Sequence, residues 1–258
     1  MNLKLYRKGK RLFYGSLDLI ARTKQLLGYQ GSLPDFIILG GMKCGSTSLF
    51  HYLKEHPQLF GSYFKEVDFF NNYYDKRLDW YKMFFVNQGK KKRLNALAFE
   101  ADPAYLYDSE APNRIAENLP NIKLIVLLRN PVDRTISEYY HHKRTGHNYE
   151  FEEAMMSGRY SKKSMYAKYL RVYFKLFPRE QFLLLSSEEF YKNTQASLKR
   201  IFQFLGVDEK YRVQNLRPRL KGMTKEPVDS EILISLRQRF KKPNEELFEM
   251  IGDSYDWD

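Results

Sequence analysis

The run Lys123–Leu128, within KLIVLLRNP, limits the fold more than any other stretch of this sequence. Its apolar residues follow one another without alternation, the pattern of a strand covered on both faces. Asn130 and Pro131 stop the run, and Pro131 suits the first turn of a following helix. The same reading predicts strands at Phe36–Leu39, Ala96–Glu100 and Gln181–Leu185. It predicts helices at Gly45–Glu55, from Pro131 to near Gly146, at Met165–Phe177, at Glu188–Leu205 and at Glu231–Ile251, the last interrupted at Pro243. Strands alternating with helices imply an α/β protein whose sheet is mostly parallel, with helices on both faces.

No internal repeat, low-complexity tract or Pro/Gly/Ser-rich linker divides the 258 residues. One domain is therefore expected over 34–258, behind a basic and helical extension, 1–33. With 43% hydrophobic and 16% aromatic residues there is ample material for its core. Forty-three Lys and Arg against 31 Asp and Glu leave a formal charge of +12, which favours anionic partners without choosing among them. In the extension, Phe13, Leu17, Ile20 and Leu27 stand among Lys8, Lys10, Arg11, Arg22 and Lys24. That pattern suits a helix packed on its own domain, or a peripheral contact with acidic lipid.

Cys44 is the only cysteine, which excludes an intrachain disulfide and a cysteine-based zinc cluster and suggests a reducing compartment. No run approaches the roughly 18 to 20 apolar residues that cross a bilayer, and the N-terminus lacks the apolar core of a signal peptide. The expectation is a cytoplasmic, bacterial protein; a Golgi-type origin would require removal of an N-terminal anchor. His51, His56, His141 and His142 have no metal-ligand spacing, so no metal is expected.

In a parallel sheet, ligands bind beyond the carboxyl ends of the strands, where helix N-termini offer free N–H groups. GGMKCGSTS occupies that place after the first strand. Gly45 permits close backbone approach to an anion, Ser46, Thr47 and Ser48 add hydroxyl donors, and Lys43 adds a full charge. The order of residues is not that of a Walker A loop, because Lys43 precedes Gly45 instead of following it.

KCGSTSLFHYLKEHP resembles the 5′-phosphosulfate loop, K-x-G-[ST]-[ST], of sulfotransferases that use 3′-phosphoadenosine 5′-phosphosulfate (PAPS). The resemblance runs from Pro34 to Trp257 with its motifs in the family's order. It implies a P-loop-like three-layer fold around a parallel sheet of about five strands. It also implies a donor site made by Lys43, Cys44, Gly45, Ser46, Thr47 and Ser48, with Lys43 at the bridging oxygen. In LLRNPVDRTISEYYHH, Arg129 and Ser137 resemble the 3′-phosphate site R-x-P-x-x-R-x-x-S, and Lys221 with Gly222 resemble the loop that closes over the nucleotide. Relatives acting on heparan sulfate continue that loop with Arg, where this chain has Met223, which leaves Arg219 or Lys225 to compensate.

Glu66 matches the base of the heparan-type segment E-x-x-F-F through Phe69 and Phe70, with Leu78, Trp80 and Tyr81 following as in L-x-W-Y. Lys65 and Asp68 beside it are candidate substrate contacts. FEADPAYLY resembles E-x-[ST]-P-x-Y-L through Glu100, Pro103 and Tyr105, but Ala101 stands where heparan-type enzymes carry Lys. The implied activity is metal-independent, in-line transfer of a sulfonate from PAPS to a hydroxyl or amine. The acceptor is expected on a carbohydrate or glycoconjugate, including an anionic glycan; nucleic acid is not an expected partner. The rivals are a P-loop nucleotide kinase or NTPase, a sulfotransferase of small molecules or polyketides with His141 or His142 as base, and a non-catalytic polyanion-binding protein.

Overall fold

A computed structural model describes residues 3–217 and 227–257. Five strands form a single sheet: β1 (Phe36–Ile38), β2 (Leu59–Gly61), β3 (Leu97–Ala101), β4 (Lys123–Leu128) and β5 (Phe182–Ser186). Around them run α1 (Leu3–Leu26), α2 (Ser46–Leu53), α3 (Phe69–Asn72), α4 (Arg77–Lys82), α5 (Gln88–Arg93) and α6 (Ala111–Asn118). They are followed by α7 (Pro131–Arg144), α8 (Phe151–Met156), α9 (Tyr166–Leu176), α10 (Ser187–Lys192), α11 (Thr194–Leu205) and α12 (Ser230–Ile251).

The strand order is β2-β3-β1-β4-β5 and every pairing is parallel. Phe36 pairs with Phe99 on one side and Lys123 on the other, so β1 is central. The strands are the heart of the core: Phe36, Ile37 and Ile38 in β1 and Leu124 to Leu128 in β4 are completely buried. Burial of both faces is why β4 reads as an unbroken apolar run. α2 packs on β2 and β3, α10 and α11 pack on β5, and α12 lies across α7, α8 and α9. A second, smaller core of Val132, Ile136, Tyr139, Met155, Leu236 and Phe240 joins α7, α8 and α12.

Three local expectations are corrected. The helix expected over Glu188–Leu205 is two helices, because Asn193 takes a non-helical conformation (φ −132°, ψ 59°) between α10 and α11. Conversely, α12 passes through Pro243 without interruption. One proline removes a single N–H, and buried Leu236, Phe240, Leu247 and Ile251 hold the helix on either side of it. Strand β2 was not predicted; three residues ending in glycine carry no periodic signal.

The end of α1 docks through Leu17 and Ala21, which are buried, and through Lys24, whose Nζ donates to the Met83 carbonyl at 2.7 Å. Lys24 also sits 3.6 Å from the centre of the Tyr63 ring. Leu19, Leu26 and Leu27 remain exposed. None of the described helices is long and apolar enough to cross a membrane.

Candidate functional site

The chain leaves β1 at its buried carboxyl end and turns at once. The Gly41 amide donates to the Leu127 carbonyl at 2.7 Å, tying the loop to β4, and the Cys44 amide closes the turn on the Gly41 carbonyl at 3.0 Å. Lys43 (φ 70°) and Gly45 (φ 101°) are both left-handed. At Gly45 a side chain is excluded by space as well as conformation, since a Cβ would lie 2.7 Å from the Tyr191 hydroxyl. The loop delivers the chain into α2, whose first helical bond is Leu49 N–H to the Gly45 carbonyl at 3.1 Å. Ser46, Thr47 and Ser48 thus form the first turn of α2, at the positive end of its helix dipole.

Within this loop the six expected residues divide. Ser46 and Ser48 are buried and Thr47 is half-buried. The Ser48 hydroxyl accepts from Tyr191 at 3.2 Å. The Cys44 side chain turns away into the core, 3.6 Å from the Tyr166 hydroxyl, and burial pushes its thiol up to about 11. Only its backbone can serve the site. The loop is held from behind by tyrosines that sequence reasoning missed: Tyr107 accepts from the Met42 amide at 3.2 Å, and Tyr166 donates to the Arg129 carbonyl at 2.9 Å.

Positive charge converges here. Burial lowers the Lys43 pKa, and Arg144, Arg129 and Arg134 lower it further, with Glu138 the one opposing carboxylate. Arg129, at the end of β4, reaches the Lys43 carbonyl at 3.4 Å and Asp133 at 3.2 Å. Asn130 caps α7 by accepting from the Val132 amide at 2.9 Å. Along α7, Asp133, Ser137 and His141 recur every fourth residue and therefore share a face. The first meets Arg129, and the last feels the charge of Lys43. Ser137, half-buried between them, belongs to the same face. His141 is held down to about 4 by burial, then by Lys43, Arg144 and His142, so it is neutral near pH 7. The second arginine of the expected motif, Arg134, is fully buried and pairs with Glu138. It is structural rather than a ligand contact.

The other half of the site forms beside it, at the end of β3. The Asp102 amide donates to the Ile38 carbonyl at 3.1 Å, one residue before the loop begins. The Glu66 amide donates to the Ala101 carbonyl at 3.2 Å, which places Glu66 at the end of the strand next to β1. Its carboxylate is half exposed and paired with Lys65. Asp68 is buried, and its amide donates to Asp102 Oδ2 at 3.0 Å. Phe69 and Phe70 are core residues whose amides both meet the Tyr105 hydroxyl, at 2.8 and 3.3 Å.

Glu100 and Asp102 are fully buried. Burial pushes Glu100 up to about 8 against the opposing bond from the Tyr81 hydroxyl. Burial also raises Asp102 well above the usual carboxylate range, reinforced by the charges of Asp68, Glu100 and Glu66. No cluster of three or more His, Cys, Asp or Glu side chains could hold a metal ion among the described residues. Lys221, Gly222, Arg219, Met223 and Lys225 lie outside the described residues.

Comparison with known proteins adds an independent line. Residues 33–235 match the family described as Sulfotransferase domain. The chain is 29% identical over 271 residues to human heparan sulfate glucosamine 3-O-sulfotransferase 3A1, covering 92% of this chain and 66% of that protein. It is 41% identical over 108 residues to membrane-associated sulfotransferase kil1 of Dictyostelium discoideum, covering 42% of this chain and 23% of that protein. Both are therefore longer than this chain. The crystal structure of a sulfotransferase from Alicyclobacillus acidocaldarius superposes with a TM-score of 0.71 at 25% identity, over 87% of this chain and 98% of that one.

Proposed function

This chain belongs to the sulfotransferase family, and we propose that it transfers a sulfonate from PAPS to a hydroxyl or amine of a carbohydrate acceptor. The observation that carries this reading is the juxtaposition at neighbouring strand ends. A cationic loop opening into the first turn of α2 lies at the end of β1, and a half-exposed carboxylate lies at the end of β3.

Transfer in line breaks the bond between the sulfur and the bridging phosphate oxygen as the acceptor oxygen or nitrogen bonds to sulfur. Negative charge grows on the bridging oxygen, where Lys43 and the amides of Ser46, Thr47 and Ser48 meet it without reorganisation. Arg129 and Ser137 hold the 3′-phosphate. Lys221 and Gly222 complete the nucleotide site. Glu66 takes the acceptor proton, a role worth roughly 10²- to 10⁴-fold. Lys65 bears on the sulfonate, and Asp68 is a second candidate substrate contact. The products are a sulfated acceptor and adenosine 3′,5′-bisphosphate.

The heparan sulfate relatives favour a glycan acceptor, and the +12 charge favours an anionic one. A kinase or NTPase reading fares worse. It needs an acidic Mg²⁺ ligand at a strand end, but Glu100 and Asp102 there are sealed from solvent and biased towards their protonated forms. His141, neutral and under the influence of Lys43, supports a second assignment of the base. Exposed Leu19, Leu26 and Leu27, with Arg22 beside them, support peripheral contact of α1 with acidic lipid.

Calorimetric titration with adenosine 3′,5′-bisphosphate, beside ATP with Mg²⁺, tests the donor. Preference for ATP would end the proposal. Glu66→Gln should retain bisphosphate affinity and lose transfer. Retained transfer would move the base to His141.

A further inference from the structure

Glu66 (φ 64°) and Asp68 (φ 59°) both adopt the left-handed conformation, within three residues and without a glycine. Each such residue costs about 1 to 2 kcal/mol, so the turn exists because its surroundings impose it. Bonds that support it come from the last residue of β3 and the segment that follows. Ala101 accepts from the Glu66 amide, Asp102 from the Asp68 amide, and Tyr105 from the amides of Phe69 and Phe70. Asp102 is a side chain that accepts from an amide of the bend itself. One of its oxygens takes the Asp68 amide at 3.0 Å and the other takes the Ala104 amide at 3.1 Å. Its own amide is fixed to β1 through the Ile38 carbonyl at 3.1 Å. Asp102 therefore joins three things that must stay in register: through its carboxylate the turn bearing Glu66 and the segment that follows β3, and through its own amide the strand that delivers Lys43.

We propose that Asp102 is a positioning residue, whose carboxylate locks the left-handed turn at residues 66–68 and so aims Glu66 at the acceptor. This rests on Glu66 acting as base in the reading above. Asp102 touches no reacting atom and reaches the turn through its bond to the Asp68 amide.

Asp102→Asn is the appropriate perturbation. It keeps the shape of the side chain but leaves one accepting oxygen for two amides, those of Asp68 and Ala104. Three measurements on the full chain separate the outcomes. Amide hydrogen exchange at Asp68 should quicken about tenfold in D102N, while exchange in β4 stays unchanged; unaltered protection at Asp68 overturns the proposal.

Titration with adenosine 3′,5′-bisphosphate should give wild-type affinity in D102N. A wild-type protein that does not bind the bisphosphate overturns the sulfotransferase reading, and the exchange result still decides whether Asp102 holds the turn. Transfer of label from PAPS to heparan sulfate, or to water, should fall about 10- to 100-fold in kcat for D102N. The double variant E66Q/D102N should be no slower than E66Q, since the two residues act as one unit. Losses that multiply in the double variant would show that Asp102 acts elsewhere and would overturn the proposal.

Discussion

Replacing Gly45 by alanine separates backbone strain from collision in the loop between β1 and α2, because Gly206 provides a matched control. Both glycines are left-handed, at φ 101° and 77°, but nothing lies within 4 Å of a Cβ built on Gly206. Gly206→Ala should therefore show the conformational penalty alone, about 1 to 2 kcal/mol. At Gly45 the added Cβ meets the Tyr191 hydroxyl at 2.7 Å and two ring carbons at 3.2 Å. Tyr191 is 43% exposed and can swing outward, at the loss of its 3.2 Å bond to Ser48, worth about 0.5 to 1.5 kcal/mol.

Gly45→Ala should thus cost about 1 kcal/mol more than Gly206→Ala, a further drop in Tm of roughly 2 to 4 °C. Thermal unfolding of the two variants reads this difference. Titration with adenosine 3′,5′-bisphosphate should then show affinity lost at least about tenfold in G45A and kept in G206A. Equal Tm values would refute the collision with Tyr191, and wild-type bisphosphate affinity in G45A would refute the proposal that this loop conformation makes the donor site.

Four further outcomes are expected. Arg134→Met leaves Glu138 buried without its main cation and should cost about 3 kcal/mol in urea unfolding, a value near zero showing that the pair is dispensable. Lys43→Ala should weaken bisphosphate binding and also raise the His141 pKa from about 4, which NMR titration of the imidazole would detect; an unmoved His141 would mean that the two groups are not neighbours. Glu100 is pushed up from 4.5 to about 8, so the folded state keeps a proton that the unfolded chain releases. Stability should therefore fall as pH rises through that window, by at most about 1.4 kcal/mol per unit, and Glu100→Gln should flatten the dependence in thermal unfolding. Tyr105→Phe removes the acceptor of two buried amides, those of Phe69 and Phe70, and should destabilise by about 1 to 3 kcal/mol without altering bisphosphate affinity.

The parallel sheet and the sharp Gly/Ser/Thr turn carrying Lys43 were legible in the sequence. A strand buried on both faces must be apolar throughout, and a backbone that wraps an anion needs glycine, hydroxyls and a cation close together in the chain. Both constraints act over a few residues, so KLIVLLRNP and GGMKCGSTS state them openly. The placing of Ser137 on the helix that follows Arg129 was legible for the same reason. What the sequence did not show was support from a distance. Nothing near Lys43 in the chain announces that Tyr107 and Tyr166 brace its loop, that Arg144 crowds its charge, or that the Cys44 side chain leaves the site. Nor does FEADPAYLY reveal that Asp102 holds a turn 34 residues earlier. The tertiary structure decided these points, because burial and hydrogen bonding between segments far apart in sequence depend on which strand ends the sheet places side by side.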